Sequence, residues 1–303
     1  MILDLLDRLA SQIAGFDGAD FSTPPGEPAV LPPDSVSWRV FSNPVTMYVG
    51  GIAAVLLELG EPRVRHGVWD HSSFKRDPAR RLRRTGTAAM ITVYGARSRF
   101  EALAARVSRM HGAIEGTTPD GEAYRADDPE LLLWVQATAS WAFLEAYARY
   151  AAPVPAADRD RYYREARPGA ALYGVENPPE SEAAMDALMA AMAPRLEPSP
   201  ILGELLEILR TASILPRPAR WLQRIGARAA VDLLPADMRV RLGLAGRLGA
   251  GERLLLRRLA RLAERVELPS SPAARARARL ATPRSAPATP PALHSPLHAV
   301  PKE

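Results

Sequence analysis

Apolar residues recur with the period of an α-helix along almost the whole chain, and no run with the period of a β-strand interrupts them. The segments that predict helices cover residues 2–14, 45–59, 78–94, 98–115, 129–152, 155–167, 181–192, 199–213, 216–234 and 251–266. Most of these segments open with Pro or Ser, which are favoured where a helix begins. Between them, the Pro119-Asp120-Gly121 turn indicates that Thr117–Asp128 is a loop or a short hairpin. The sequence, which contains no internal repeat, therefore predicts an all-α fold.

Chain length and the composition of the last residues determine the predicted domain organisation. A chain of 303 residues with 47% hydrophobic residues can bury a large core without disulfide bonds. From Pro269 onward the sequence is rich in Pro, Ala, Ser and Arg and poor in large apolar residues, which is typical of disorder. We therefore predict one helical domain over residues 1–268 and a disordered tail over residues 269–303. Removing that tail is expected to leave the melting temperature unchanged.

The positive charge of the chain is concentrated in the predicted tail. The net charge is +5, and the residues after Leu268 contain five basic residues and one acidic residue. Only Lys75 and Lys302 are lysines, and a sequence so rich in Arg, Ala and Leu is typical of a high-GC genome. A nearly neutral domain gives little attraction for phosphates, so we expect no nucleic-acid partner.

Neither the start of the chain nor its most apolar segment has the pattern of an exported or membrane-spanning protein. The segment Met1–Gly15 contains Asp4, Asp7 and Arg8, which a signal peptide would not have there. The uncharged stretch Val40–Leu57 leaves a helix of only about 14 residues after Pro44, and about 20 are needed to cross a bilayer. We predict a buried core helix there and a cytoplasmic protein with at most peripheral membrane contact.

Several classes of enzyme lack their essential residues in this sequence. The chain has no Cys, which excludes disulfides, thiolate metal sites, iron–sulfur clusters and a catalytic cysteine. It also has no HExxH, GxSxG, P-loop or GxGxxG motif. Of the five histidines, two lie in the predicted tail, and His66, His71 and His111 remain for the fold.

His111 lies near the end of an amphipathic helical segment, FEALAARVSRMHGAIEG. Helical periodicity places Leu103, Ala104, Val107 and the Met110-His111 pair along one inward face. Two interpretations are open for a lone histidine at such a position. It could be a hydrogen-bonded core residue, or it could be the axial ligand of a haem, whose porphyrin supplies the other four donors.

A basic cluster, DPARRLRRTGT, covers Asp77–Thr87 and leads directly into an apolar segment. Helical spacing puts Arg81, Arg84 and Thr85 on one side of the helix. They could form an ordinary solvated face. They could also provide the cation and the hydroxyl of a dry site, because they lie where the apolar segment begins.

The segment Gly251–Val266 is a basic helix whose Leu255, Leu259, Leu262 and Val266 form one apolar stripe. Packing of this stripe onto the domain core is one interpretation. Contact of the basic helix and the tail with a membrane surface or a protein partner is the other.

The order and spacing of seven motifs resemble those of the rubber-oxygenase family, which includes the latex-clearing proteins and the mpaB-type oxygenase. The motifs are GVWDHSSF (67–74), DPxxRLxRT (77–85), YG (94–95), MHGAIEG (110–116), DGEAYRADDPELLLWV (120–135), YYREARP (162–168) and LYGV (172–175). The similarity extends from about Arg39 to Leu244 and includes VDLLPADMRVRLGL at its end.

This resemblance implies a single globin-like helical domain that binds haem b and uses O2 to cleave carbon–carbon double bonds of isoprenoids. It implies that His111 is the axial iron ligand and that Arg81, Arg84 and Thr85 are the distal residues. It also implies a carboxylate base, for which Glu58 and Glu61 are the candidates. The expected partners are thus O2 and an apolar small molecule.

The sequence departs from the family pattern at two positions. Glu61-Pro62 stands where typical members have His-Pro, and Gln136 stands where many have His. Neither position is the implied iron ligand, so haem binding remains the expectation. Two functions are therefore open: a haem-dependent oxygenase acting on an unsaturated, isoprenoid or lipid-like molecule, and a non-catalytic helical binding or scaffold protein. A visible absorption spectrum distinguishes them.

Overall fold

The computed structural model describes residue 7 and residues 18–212, 215 and 217–283. In these residues thirteen α-helices and one hairpin form a single all-α domain, which confirms the predicted fold class. The helices are α1 (Val36–Phe41), α2 (Pro44–Glu58), α3 (Pro62–Trp69), α4 (Pro78–Tyr94), α5 (Arg97–His111), α6 (Pro129–Tyr150), α7 (Ala156–Leu172), α8 (Glu182–Met192), α9 (Pro200–Thr211), α10 (Arg220–Leu233), α11 (Ala236–Arg241), α12 (Ala250–Ala263) and α13 (Pro272–Ala281). The strands are β1 (Glu115–Thr117) and β2 (Ala123–Arg125).

Local capping chemistry fixes where the central helices begin. At α2, the side chain of Asn43 accepts hydrogen bonds from the backbone of Val45 and Thr46, and Pro44 occupies the first turn. Asp77 caps α4 and Asp128 caps α6 in the same way, each followed by Pro. Such side chains satisfy backbone donors that have no partner within the helix. The helices predicted from residues 45, 78 and 129 therefore begin within one residue of α2, α4 and α6.

The antiparallel pair of α2 and α6 forms the centre of the core. The indole of Trp134 donates to the carbonyl of Leu57 at 3.3 Å, and both residues are fully buried. At the other end of the contact, a Cβ on Gly50 would lie 2.8 Å from the ring of Phe143. Glycine is therefore needed at position 50 for the two backbones to approach this closely. The segment predicted as a buried helix rather than a membrane span is thus the centre of the core.

The alternative of a short hairpin in Thr117–Asp128 is confirmed. Strands β1 and β2 pair antiparallel with Gly116 opposite Tyr124, and Gly121 has the positive φ of 88° that the turn requires. The hairpin also explains why α5 ends at His111, earlier than predicted, since the chain turns into β1 four residues later.

Four short helices, α1, α3, α11 and α13, were not predicted, and the helix predicted over residues 2–14 lies outside the described residues apart from Asp7. Helix α7 continues past the expected end at Arg167, with Pro168 inside it. The first three unpredicted helices have six to eight residues, too few for a periodic pattern to be recognised.

The prediction of a disordered tail after residue 268 is wrong for the residues of α13. Ala273 and Ala276 are buried in a second apolar cluster with Phe21, Trp38 and Tyr94. This cluster joins α13 to the loop before α1 and to the end of α4. Small alanine side chains suffice because they fill the space between larger aromatic residues, which a count of large apolar residues does not detect. Residues 284–303 of the predicted tail lie outside the described part.

Arg279 attaches α13 to the domain by hydrogen bonds to three backbone carbonyls. Its guanidinium donates to Phe21 at 2.7 Å, Glu27 at 2.8 Å and Tyr94 at 2.9 Å, and the side chain is only 1% exposed. Burial lowers the pKa of Arg279, partly offset by the charges of Glu27 and Asp20. Three segments that are far apart in sequence therefore depend on one side chain.

Among the described residues, no single helix is long and apolar enough to cross a bilayer. Helices α2 and α3 together reach the required length and composition, but they are bent by 113° relative to each other.

We expect Arg279→Ala to lower the free energy of unfolding by about 2–4 kcal/mol, because it leaves buried carbonyls without donors. Truncation after residue 268 should lower the melting temperature for the same reason. Arg275→Ala, an exposed arginine on the same helix, is the control and should change stability by no more than about 0.5 kcal/mol. Thermal and urea unfolding measure both. Equal stability of the two variants would show that Arg279 does not hold the helix.

Candidate functional site

Arg81 and Thr85 form one unit on the first turns of α4. The guanidinium Nη1 of Arg81 donates to Thr85 Oγ1, which in turn donates to the carbonyl of Arg81 at 3.0 Å. Both contacts span one helical turn, so the Asp77 cap that starts α4 also sets their positions. Arg84 is exposed on the same helix and lies close enough to lower the pKa of Arg81 by charge repulsion, although burial lowers it more.

His111 is the last residue of α5 and lies on the buried side of that helix. Phe100, Leu103 and Ala104 on this stripe are buried, whereas Val107 and His111 are partly exposed. Met110, which the sequence analysis placed on the inward face, is 48% exposed, because the stripe passes through His111 instead. The predicted stripe is thus confirmed in its first turns and corrected in its last.

The surroundings of His111 favour the neutral form of its imidazole. Burial lowers its pKa, and the positive charge of Arg81 lowers it further, while Asp127 opposes both effects. Within the described part of the chain, no hydrogen bond reaches either ring nitrogen. A neutral imidazole with a free ring nitrogen is the form in which histidine coordinates a metal.

Glu58 is the last residue of α2 and has an unusual ionisation. Burial raises the pKa of its carboxyl to about 7, even though the nearby charge of Arg81 acts in the opposite direction. The side chain is nevertheless partly exposed. The carboxyl is therefore surrounded by protein atoms, although part of the residue reaches the surface.

Arg81 is the residue that brings these groups together. Its charge acts on the carboxyl of Glu58 and on the imidazole of His111, so α2, α4 and α5 converge at one place. The site thus combines the Glu58 carboxyl, which titrates near neutral pH, with the Arg81 guanidinium and the imidazole of His111. The hydroxyl of Thr85 is hydrogen-bonded to that guanidinium. Groups with such shifted pKa values are typical of reaction sites.

Apolar, partly exposed stripes run from this site along α2 and α6. On α6, which is otherwise a core helix, Leu132, Val135, Ala139 and Phe143 are partly exposed. On α2, the residues one and two turns before Glu58, Val55 and Gly51, are partly exposed as well. Since α2 and α6 pack against each other along their length, both stripes lie on the pair of helices that holds Glu58.

Gln136, one of the departures from the family pattern, adds a polar group to the α6 stripe. Its amide donates to Ser140 Oγ at 3.1 Å, one turn further along the helix.

Glu61, the second candidate for a carboxylate base, has a structural role instead. One carboxylate oxygen accepts from the backbone of Val64 at 2.8 Å and so caps α3, while the other accepts from Arg63 at 2.7 Å. The residue is only 1% exposed. With both oxygens engaged, Glu61 is not available to a substrate, and Glu58 is the carboxylate that remains.

Asp127 is a residue near His111 that the sequence analysis did not single out. Its carboxylate oxygens each accept from the Arg125 guanidinium at 3.0 Å. One of them lies 3.7 Å from the position that a Cβ on Gly112 would have, beside the end of α5. Only the hairpin brings Asp127 back to α5, so no signal in the sequence around His111 could have identified it.

The described residues contain no group of three or more His, Asp or Glu side chains that could hold a metal ion.

A family model comparison identifies the kind of protein to which this arrangement belongs. Residues 38–265 match the model described as ER-bound oxygenase mpaB/B'/Rubber oxygenase, catalytic domain. The chain belongs to this family. The match covers Glu58, Arg81, Arg84, Thr85 and His111, and it supports an oxygenase, hence an enzyme. No curated protein and no solved structure matches the chain significantly.

The raised pKa of Glu58 makes stability depend on pH. Because the folded pKa of about 7 exceeds the ordinary value of 4.5, unfolding releases a proton as the pH rises between these values. The free energy of unfolding should therefore fall from pH 4.5 to 7, by up to about 3 kcal/mol. Glu58→Gln should abolish this part of the decline. The free energy of unfolding of the variant should therefore rise relative to that of the wild type at pH 8 but not at pH 4.5.

Urea unfolding at the two pH values measures this difference. Glu115→Gln, an exposed carboxylate on β1, is the control and should shift both values equally. The same effect of Glu58→Gln at both pH values would contradict the raised pKa.

Proposed function

We propose that the protein is a haem b-dependent oxygenase in which His111 binds the iron and Glu58, Arg81, Arg84 and Thr85 face the substrate. The observation that carries this proposal is the convergence of Glu58, Arg81 and His111 within an oxygenase family domain. His111 supplies one neutral nitrogen, and a porphyrin would supply the other four donors, so a single histidine is sufficient. The residues present therefore fit a haem.

When bound, haem would supply the iron at which O2 reacts. The protein's own contribution is to hold charges and protons beside it. Arg81 and Arg84 provide positive charge where negative charge would develop on oxygen, and Thr85 is held in place by the Arg81 guanidinium.

Glu58 is suited to take a proton from the substrate and to return it. A carboxyl with a pKa of about 7 is half ionised at neutral pH, which is the optimum for general acid–base chemistry. The apolar stripes of α2 and α6 beside it favour an unsaturated hydrocarbon chain. The proposed substrate is therefore an isoprenoid or lipid-like alkene, whose activated C–H group lies near Glu58.

The first test of the proposal is the visible spectrum. We expect the protein purified with a supply of haem to show a Soret band, and His111→Ala to lose it while the helical circular dichroism remains. His71→Ala is the matched control, because the ring of His71 is engaged with the hydroxyl of Tyr124 at 3.1 Å. A protein without a Soret band, or full haem content in His111→Ala, would contradict the proposal.

The second test addresses the residues on α4. Arg84→Ala and Thr85→Val should retain near-normal haem content, change the spectra recorded with oxygen or imidazole, and slow turnover of an isoprenoid alkene by roughly 100-fold or more. Arg80→Ala, an exposed arginine on the same helix, should leave all three unchanged. If ligand binding is unaltered in both variants, the assignment of this face to the site is wrong.

A further inference from the structure

The outer surface of α10 combines an exposed tryptophan with arginines. Gln223, Ile225 and Ala229 are buried on its inner side. Trp221 is 50% exposed, and Arg224 lies one turn further along the same outer side. The other four tryptophans of the chain are at most 9% exposed, so Trp221 is the exception.

The outer surface of α12 and the residues after it has a similar composition. Leu256 and Ala260 face the core, whereas Leu254 and Leu262 are 51% and 59% exposed. Exposed arginines follow these leucines at helical spacing, at Arg258, Arg261 and Arg265. The sequence analysis placed Leu262 in an apolar stripe that could pack onto the core, but in the structure this residue points outward.

Two ion pairs hold α10 and α12 side by side. Arg228 pairs with Glu252, and Arg253 pairs with Asp232 at 3.1 Å. The outer surfaces of both helices thus belong to one part of the protein. We call the set Trp221, Arg224, Leu254, Arg258, Arg261, Leu262 and Arg265 the arginine face.

Within the described residues, the arginines of this face have no acidic partner. Among the described residues, no carboxylate lies within ion-pair distance of Arg224, Arg258, Arg261 or Arg265. The acidic residues of α10 and α12 are Asp232 and Glu252, and both are engaged in the ion pairs that join the two helices. Glu264 points the other way, where Asn43 and Tyr147 donate to it.

We propose that the arginine face docks on the surface of an anionic phospholipid membrane. Arginines bind lipid phosphates, and exposed Leu and Trp side chains gain free energy by entering the region between headgroups and acyl chains. Tryptophan is well suited to that boundary because its ring is apolar and its N–H is polar. The proposal is independent of haem and of the oxygenase reaction.

Charge and composition argue against two other occupants. A second copy of the chain would place the same unpaired arginines opposite one another, which is repulsive. A nucleic acid would satisfy the arginines but would leave Leu254 and Leu262 without an apolar partner. A surface with anionic groups above an apolar layer matches both components.

Vesicle binding of the full-length protein tests the proposal. We expect sedimentation with vesicles of phosphatidylcholine and phosphatidylglycerol but not with phosphatidylcholine alone, and release at high salt. The triple variant Arg258→Glu, Arg261→Glu and Arg265→Glu should bind the anionic vesicles about 100-fold more weakly than the wild type. The matched control changes Arg76, Arg106 and Arg164 to Glu. These residues are exposed and unpaired within the described part, and they give the same net charge.

The control variant should bind the anionic vesicles within about tenfold of the wild-type affinity, since its substituted residues lie outside the arginine face. Equal losses in the two triple variants would show that only net charge matters and would overturn the proposal. So would a wild-type protein that fails to bind these vesicles, or one that binds duplex DNA more tightly than the vesicles.

Trp221 offers a second measurement that reports contact directly. Vesicles containing brominated lipid should quench the fluorescence of the wild-type protein on binding, because bromine acts only over short distances. Trp221→Phe should show no such quenching, since the remaining tryptophans are buried. Quenching that is the same in wild type and Trp221→Phe would show that a different surface contacts the bilayer.

Discussion

The close antiparallel packing of α2 against α6 is the constraint on which the rest of the structure depends. It requires glycine at position 50, where a Cβ would meet Phe143, and it is fixed at the other end by the hydrogen bond from Trp134 to Leu57. Because Glu58 directly follows Leu57, the same contact holds the carboxyl in place. The core and the Glu58 carboxyl are therefore positioned by one pair of helices.

Electrostatics then give the site its character. Burial disfavours charge on Glu58, Arg81 and His111 alike, and it is the largest influence on the pKa of each. Arg81 partly restores the charge of Glu58 but opposes protonation of His111. One cation thus favours a carboxyl that exchanges its proton near pH 7 and an imidazole free to coordinate, which is the combination that the proposed reaction needs.

Arginine serves opposite purposes in different parts of the molecule. Arg279 is buried and donates to three carbonyls from distant segments, whereas Arg258 and Arg261 are exposed and have no partner among the described residues. The sequence analysis attributed the general richness in arginine to genome composition, because composition does not reveal which arginines find partners. The partners of Arg279 are more than 180 residues away in sequence, beyond the reach of any local pattern.

The sequence by itself determined where the main helices begin, because caps such as Asn43 and Asp77 act within one turn of their own backbone. Through the family resemblance, the sequence also indicated that the residues around Arg81 and His111 are candidates for the functional site. Only the tertiary structure decided between Glu58 and Glu61, since burial and partners distinguish two carboxylates that are three residues apart. It alone decided that α13 folds onto the domain, because the stabilising contacts come from segments at the opposite end of the chain.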